Sequence, residues 1–430
     1  MPEIKNGERY LKSPQKRLPL QTHIMRDMKK SVCILVLLLT SLLFAPATVR
    51  ANEVVDADSM QISLLTCGPG SEVYELYGHT ALRVRHEKTG ADWVFNYGIF
   101  DFNAPHFTWR FMLGKADYMM GVQPFDAFLR SYRRAGRYVD EQTLNLTPVE
   151  RTRLVTSLME IWEQTGWTYR YNFLYDNCTT RAVDQIVSSL DGQVVWPDSQ
   201  GKELTFRQMI HEFAAEASPW NCFGQDLVLG AEVDRPIGVE LQLFSPVYAE
   251  RFLDEAYVQQ ADGTKRPLVQ AKHRLVEAAP LPEGGGFLVS PMGMALLLLS
   301  VVGVWSYMDF RRGKPTWVID YVLMAVQGLT GCLVALLFFF SAHPAVDSNW
   351  LIALLNPLPL LFLPWMVWNR RHGRRDYFWV VQVAGWLVLI LSSLCGWQKI
   401  PAEFHVLALL LLVRIVTVQA CDNRCRKIER

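Results

Sequence analysis

The chain has 430 residues, half of them apolar, and its 43 basic and 42 acidic side chains leave a net charge of +1. That length allows two or three domains, and the apolar share is high for a purely soluble protein. A near-zero charge, with no basic block interleaved with aromatics outside the C-terminal apolar region, excludes a nucleic-acid-binding role.

The chain begins with a leader. Lys29 and Lys30 precede an apolar run from Val32 to Ala45 and small residues up to Ala51, the pattern of a secretory signal peptide cleaved after Ala51; an uncleaved anchor is the alternative. Residues 1–24 are too long and polar for the basic part of such a signal, which points to translation starting at Met25 or Met28. Residues 52–286 then read as an exported globular domain, 287–420 as a membrane domain and 421–430 as a basic cytoplasmic tail.

Within the exported domain, residues 61–67 (QISLLTC) read as a strand ended by Gly68-Pro69-Gly70. A second strand starts at His79, turns at Lys88-Thr89-Gly90 and returns as WVFNYGIFDF, so the two form a hairpin. In Pro105–Val139 a face with Trp109, Phe111, Met112, Met119 and Met120 reads as ordinary core; an acyl-chain groove is the alternative, because such surfaces suit flexible apolar ligands. Thr147, Pro148 and Glu150 form a helix start, and that helix runs to about Gln164.

Tyr169–Ile186 (YRYNFLYDNCTTRAVDQI) is the most informative stretch. Asp176, Asn177, Thr179 and Thr180 are helix-starting residues, so Cys178 falls at a helix N-terminus, where the dipole and free N–H groups favour a thiolate and can hold an oxyanion. A buried cysteine beside an Asx cap is the bland alternative. Thr205–Ala215 reads as another helix, Pro219–Pro236 as loop with acidic Asp226 and Asp234 in cap or ion-pair roles, and Gln270–Pro282 as a polar connection to a Gly284-Gly285-Gly286 hinge.

Five apolar runs follow, near 287–308, 317–341, 350–368, 377–396 and 404–420, the last being the weakest as a span. Pro357, Pro359 and Pro364 predict a distorted third helix. Basic clusters follow the first run (Arg311, Arg312, Lys314), the third (Arg370, Arg371, Arg374, Arg375) and the fifth (Arg424, Arg426, Lys427, Arg430). By the positive-inside rule those ends are cytoplasmic and residues 52–286 lie outside.

Of the eight cysteines, Cys67, Cys178 and Cys222 fall in the exported domain, an odd number that leaves at least one free; a Cys67–Cys222 disulfide is open. No CxxC or HExxH pattern points to a metal, and no cofactor is called for. A thiol nucleophile needs an imidazole to take its proton and a third group to orient that imidazole. His79 is the candidate base. Asn96, on the other hairpin strand, is the candidate orienting group but is not directly across, so it needs a bulge or a diagonal contact; Tyr97, Asp101 and His86 remain open.

The chain resembles the Lnb family of bacterial inner-membrane lipoprotein N-acyltransferases. The resemblance rests on LLTCGPGSEVYELYGHTALRV, VFNYGIFDF, GRYVDEQTLNLT, YRYNFLYDNCTTRAVDQI, PWNCFGQDLVLGAEVDRP and SNWLIALLNPLPL, with Gly78-His79 and DNCTTR as its specific core. The histidine-then-cysteine order is also similar to permuted papain-like enzymes of the NlpC/P60 type. The resemblance implies an α+β, permuted papain-like periplasmic domain followed by about five transmembrane helices. It implies Cys178 as nucleophile, His79 as base and Asn96 as orienting group, with Tyr175, Thr179 and Tyr77 on the substrate side. The reaction implied takes an acyl chain from a membrane phospholipid onto Cys178 as a thioester, then onto the α-amino group of a lipoprotein's diacylglyceryl cysteine. A membrane-tethered hydrolase, phospholipase or cell-wall amidopeptidase, would use the same pair with water as acceptor. A sensor or scaffold and a transporter are weaker readings, since no signalling domain follows the spans and the spans carry few charges.

Overall fold

The computed structural model describes residues 56–428 except 71, 73–74, 102, 199–203, 215–217, 280–285 and 375. The expected leader, its cleavage site after Ala51 and most of the glycine hinge lie outside the described residues. In chain order the exported part contains β1 (Met60–Cys67), β2 (His79–His86), β3 (Asp92–Ile99), α1 (Phe107–Met112), β4 (Asp117–Pro124), α2 (Phe125–Ala135), β5 (Val139–Leu144), α3 (Pro148–Glu163), β6 (Tyr169–Arg170) and α4 (Cys178–Ser189). There follow β7 (Gln193–Val195), β8 (Leu204–Thr205), α5 (Phe206–Ala214), α6 (Pro219–Val228), β9 (Pro236–Ile237), α7 (Val239–Gln242), α8 (Pro246–Glu255), β10 (Tyr257–Gln259), β11 (Lys265–Pro267) and β12 (Val269–Val276).

The fold is α+β. An antiparallel sheet in the order β12-β5-β1-β2-β3-β4-β6 forms its centre. Its inner strands alternate with period two, but both faces are apolar, so both are covered. Ile62, Leu64, Leu82, Val84, Phe95 and Tyr97 share a core with residues of α3 and α4, whereas Leu65, Cys67, Ala81 and Val94 pack with Phe125, Phe128 and Leu129 of α2. Each fully buried leucine or phenylalanine here contributes about 1.5–3 kcal/mol. The α3 start is as the residues predict: Thr147 and Glu150 exchange side-chain and backbone hydrogen bonds in a capping box, with Pro148 at the first position.

Two segments depart from the sequence expectation. Pro219–Val228, expected as loop, is helix α6; Pro219 suits a first helical turn, and Phe223 and Leu227, four apart, lie on one face and pack against the membrane part. The polar connection expected from Gln270 contains β12, an edge strand on β5 with shifts in register between Val269 and Ala271 and between Arg274 and Val276. An edge strand buries little, so its polar residues mask the alternation. Cys67 and Cys222 do not form a disulfide: both are buried free thiols, Cys67 under α2 and Cys222 on α6.

The membrane part contains α9 (Pro291–Arg312), α10 (Trp317–Phe340), α11 (Leu358–Arg371), α12 (Phe378–Leu394) and α13 (Ala402–Ile428). Among the described residues four stretches are long and apolar enough to cross a bilayer: α9, α10, Trp350–Arg371 and Ala402–Arg424; α12 is shorter, with 17 residues. The expectation that the last run is the weakest is therefore wrong. The charge that interrupts it, Arg414, is buried and bonds Asp309 and Asp320, both at 2.9 Å, so it faces other helices. The third run is broken as its prolines predict, with a 3₁₀ turn at Trp350–Ala353, Pro357 before α11 and Pro364 inside it.

The exported part rests on the charge-poor loops of the membrane part. Gly230 N–H donates to the Ala345 carbonyl at 2.7 Å, Asn349 Nδ2 to that of Leu227 at 2.9 Å, and Gln398 Nε2 to that of Leu229 at 3.0 Å. These are the loops that the distribution of lysine and arginine places outside.

Candidate active site

Cys178 is the first residue of α4. Asn177 caps that helix, its Oδ1 accepting from the Thr179 and Thr180 amides at 2.7 and 3.0 Å, while its Nδ2 donates to the carbonyls of Phe173 and Phe244. Among the first-turn donors, the Cys178 amide is thus one that the cap does not use. His79 opens β2 because Gly78 before it has φ +80°, and a Cβ there would meet the Cys67 carbonyl oxygen at 2.5 Å. Only glycine fits that approach.

The histidine and the cysteine meet. Burial would push the Cys178 thiol up, but the His79 charge and hydrogen bond, the Thr80 backbone N–H and the Thr179 hydroxyl hold it below its ordinary value. Burial likewise opposes charge on His79, yet the Cys178 charge and hydrogen bond, with Asn96, raise the imidazole above its usual value. Both shifts run in the direction that favours proton transfer from the thiol to the imidazole.

Asn96 Oδ1 lies 3.2 Å from His79 Nε2. Continuing the Leu82↔Phe95 register by one residue sets Ala81 opposite Asn96, so the contact is the diagonal kind. Beyond Asn96 the β3–β4 ladder slips, and Gly98, at φ +88°, brings the backbone against Cys178: a Cβ there would lie 3.5 Å from Cys178 Cβ.

Of the other sequence candidates, Thr179 stays beside the sulfur, the buried Tyr97 hydroxyl has no hydrogen-bond partner, and Tyr175, Tyr77, His86 and Asp101 are engaged elsewhere. The Thr179 hydroxyl is buried 3.0 Å from that of Thr80 and 3.9 Å from Cys178 Sγ. Tyr175 donates to Glu232 at 2.9 Å, and Glu232 N–H donates to Ser348 Oγ at 3.2 Å, so this tyrosine braces the cysteine loop against the membrane part. Tyr77 donates to Gln225 of α6 and packs on Phe173. His86 accepts from the Thr89 amide in the hairpin turn, and Asp101 from the Asn103 amide.

The residue that sequence reasoning missed is Tyr169. Its hydroxyl is buried without a hydrogen-bond partner, 3.9 Å from where a Gly98 Cβ would lie. Burial and then the Cys178 charge keep it protonated. An orphaned donor in the wall of a nucleophilic site invites an incoming oxygen. Its signal was the alternation Tyr169, Tyr171 before the cysteine helix.

A second cluster lies on α5 and α6. Ligand atoms of His211, Cys222 and Asp226 fall within 4.8 Å of one another, a donor set suited to a zinc-like ion. Asp226 is also bonded by Arg207, whose cation already balances that carboxylate. Hydrogen bonds to Asp226 and Cys222 push His211 up to about 10.

Residues 47–209 match the Lnb N-terminal periplasmic domain, and residues 283–424 match the Lnb transmembrane domain. The chain belongs to the Lnb family. Its Lnb membership makes it a membrane-associated enzyme of lipoprotein modification, with a periplasmic domain and a transmembrane domain. Neither a search of curated proteins nor one of solved structures finds a match for it.

Proposed function

We propose that this Lnb protein is a lipoprotein N-acyltransferase with a permuted papain-like periplasmic domain, in which Cys178 is the nucleophile, His79 the base and Asn96 the group that orients it. What supports the reading is the meeting of His79 with Cys178 at the N-terminus of α4, where each lowers the cost of charge on the other, with Asn96 on the imidazole Nε2. In the first step Cys178 sulfur attacks an ester carbonyl of a phospholipid. The carbonyl oxygen becomes an oxyanion near the Cys178 amide and the Tyr169 hydroxyl, and His79 gives its proton to the departing lysophospholipid oxygen. In the second step the α-amino group of a diacylated lipoprotein attacks the thioester and His79 takes its proton. The amide bond forms as the C–S bond breaks, returning the cysteine.

Burial of the sulfur supports transfer over hydrolysis, since a thioester reacts well with amines and lasts only where water is kept out. The proposed placement is the inner membrane, catalytic domain outside and C-terminus in the cytoplasm. Mass spectrometry of lipoprotein N-termini from cells expressing wild type or Cys178→Ala tests the function. N-linked acyl groups should be present with the first and absent with the second. Identical N-termini alongside altered free fatty acids or muropeptides would instead assign a hydrolase.

A further inference from the structure

Of the face named in Pro105–Val139, Met120 is core, but Trp109, Phe111 and Met119 are not. Trp109 is 54% exposed and Phe111 47% exposed on α1, and the cross-strand pair Ile99 and Met119 at the end of the same hairpin is 42% and 40% exposed. Single exposed apolar residues need no explanation, but four at one hairpin end do. Their height relative to the bilayer is fixed by hydrogen bonds. Ala342 N–H donates to the Leu113 carbonyl at 3.0 Å, Ser341 Oγ to that of Met112 at 2.9 Å, and His343 Nε2 lies 3.1 Å from that of Phe111. Those partners directly follow Phe340, the last residue of span α10, and Phe339 and Phe340 are themselves 67% exposed. The α1 helix therefore sits where a span leaves the hydrocarbon.

From α1 a continuous run of rings leads inward. Phe111 stacks on Phe107 at 6.2 Å and Phe107 on Phe100 at 5.2 Å; Phe100 meets Tyr118 at 5.0 Å and Tyr118 meets Tyr171 at 4.4 Å. Tyr171 and Cys178 flank Gly98, a Cβ on which would lie 3.7 and 3.5 Å from them. The run thus starts at the membrane surface and ends beside Gly98, whose other neighbour is Cys178.

We propose that α1 dips into the outer leaflet and that the Phe111–Phe107–Phe100–Tyr118–Tyr171 run is the binding track along which a lipid acyl chain reaches Cys178. This deepens the acyltransferase reading and rests on it for the identity of the reaction, but membrane contact by α1 stands on geometry alone. Aromatic rings suit the task because they offer apolar faces that yield to a flexible chain by turning about two torsions.

The test uses the full chain in nanodiscs of palmitoyl-oleoyl phosphatidylethanolamine and phosphatidylglycerol. Trp109→benzoylphenylalanine and Phe111→benzoylphenylalanine should photocrosslink to acyl carbons roughly tenfold more than Val149→benzoylphenylalanine, the control at an exposed apolar site on α3, with or without Cys178→Ala. Equal yields at all three sites would overturn the membrane contact. Acyl loading of Cys178 is then compared between an oleoyl phospholipid and p-nitrophenyl butyrate. Phe107→Ala, and in parallel the exposed Trp109→Glu, should slow loading from the long-chain donor roughly tenfold and from butyrate less than twofold. An equal fall with both donors would overturn the track. Wild-type protein that loads neither donor would sink the acyl-transfer reading and the track with it, leaving the photocrosslinks to judge α1.

Discussion

Asn96→Ala isolates the step on which the nucleophile depends. Asn96 is buried, and its Oδ1 is the acceptor facing His79 Nε2 at 3.2 Å. Removing it strands a buried N–H of a charged ring. A hydrogen bond to a charged group contributes about 1.5–3 kcal/mol. At about 1.4 kcal/mol per tenfold, the imidazolium, and with it the Cys178 thiolate, should become roughly 10- to 150-fold less favoured. The assay is alkylation of Cys178 by iodoacetamide from pH 5 to 10, read by mass spectrometry of its peptide. In wild type the low thiol value should keep the rate high below the usual cysteine range near ~8.5, and in Asn96→Ala the midpoint should move up toward that value. Asn96→Asp keeps an acceptor and should retain reactivity. A folded Asn96→Ala protein whose rate profile stays within twofold of wild type would refute the orienting role.

Other consequences are open to direct measurement. Gly98→Ala forces a side chain onto φ +88° beside Cys178, which should cost about 1–2 kcal/mol and lower both the thermal midpoint and thiol reactivity. Arg414→Leu leaves buried Asp309 without its cation and Asp320 with only Arg370 at 3.9 Å, and should destabilise the membrane part by about 3–5 kcal/mol in detergent unfolding; the triple variant Arg414→Leu, Asp309→Asn, Asp320→Asn should recover most of it. His211 is raised to about 10, so the stability it lends is fully present below its unfolded value near ~6.5 and is lost as pH rises through about 10. The stability difference between wild type and His211→Ala should shrink over that range.

The strands that precede the site and the α4 start were legible in the sequence because they carry strong local signals. The β2–β3 hairpin has an alternating apolar pattern with a glycine turn, and the cysteine helix has an Asn177 cap that needs no tertiary help. That Asn96 could reach His79 only through a bulge or a diagonal contact was readable from the register, but the choice of Asn96 over Tyr97, Asp101 or His86 was not. Features created by packing were not legible. Helix α6 is held by its contacts with the membrane part, as in the 4.7 Å stack of Phe223 on Phe404, and β12 is an edge whose pairing no local pattern announces. Tyr175 and Thr179 neighbour the cysteine in sequence, but where their hydroxyls go depends on Glu232 and Thr80, which are distant along the chain. Trp109 and Phe111 have the composition of core; only the junction with residues 341–343 brings them to the membrane surface.

The central claim is that Cys178 carries the acyl chain. Incubating the full-length protein with phospholipid, quenching in acid and measuring the mass of the Cys178 peptide tests it most directly. The account predicts one fatty acyl group on that peptide, removed by neutral hydroxylamine and missing in His79→Ala. Protein that N-acylates lipoprotein while its Cys178 peptide stays unmodified, even with acceptor withheld, would contradict it.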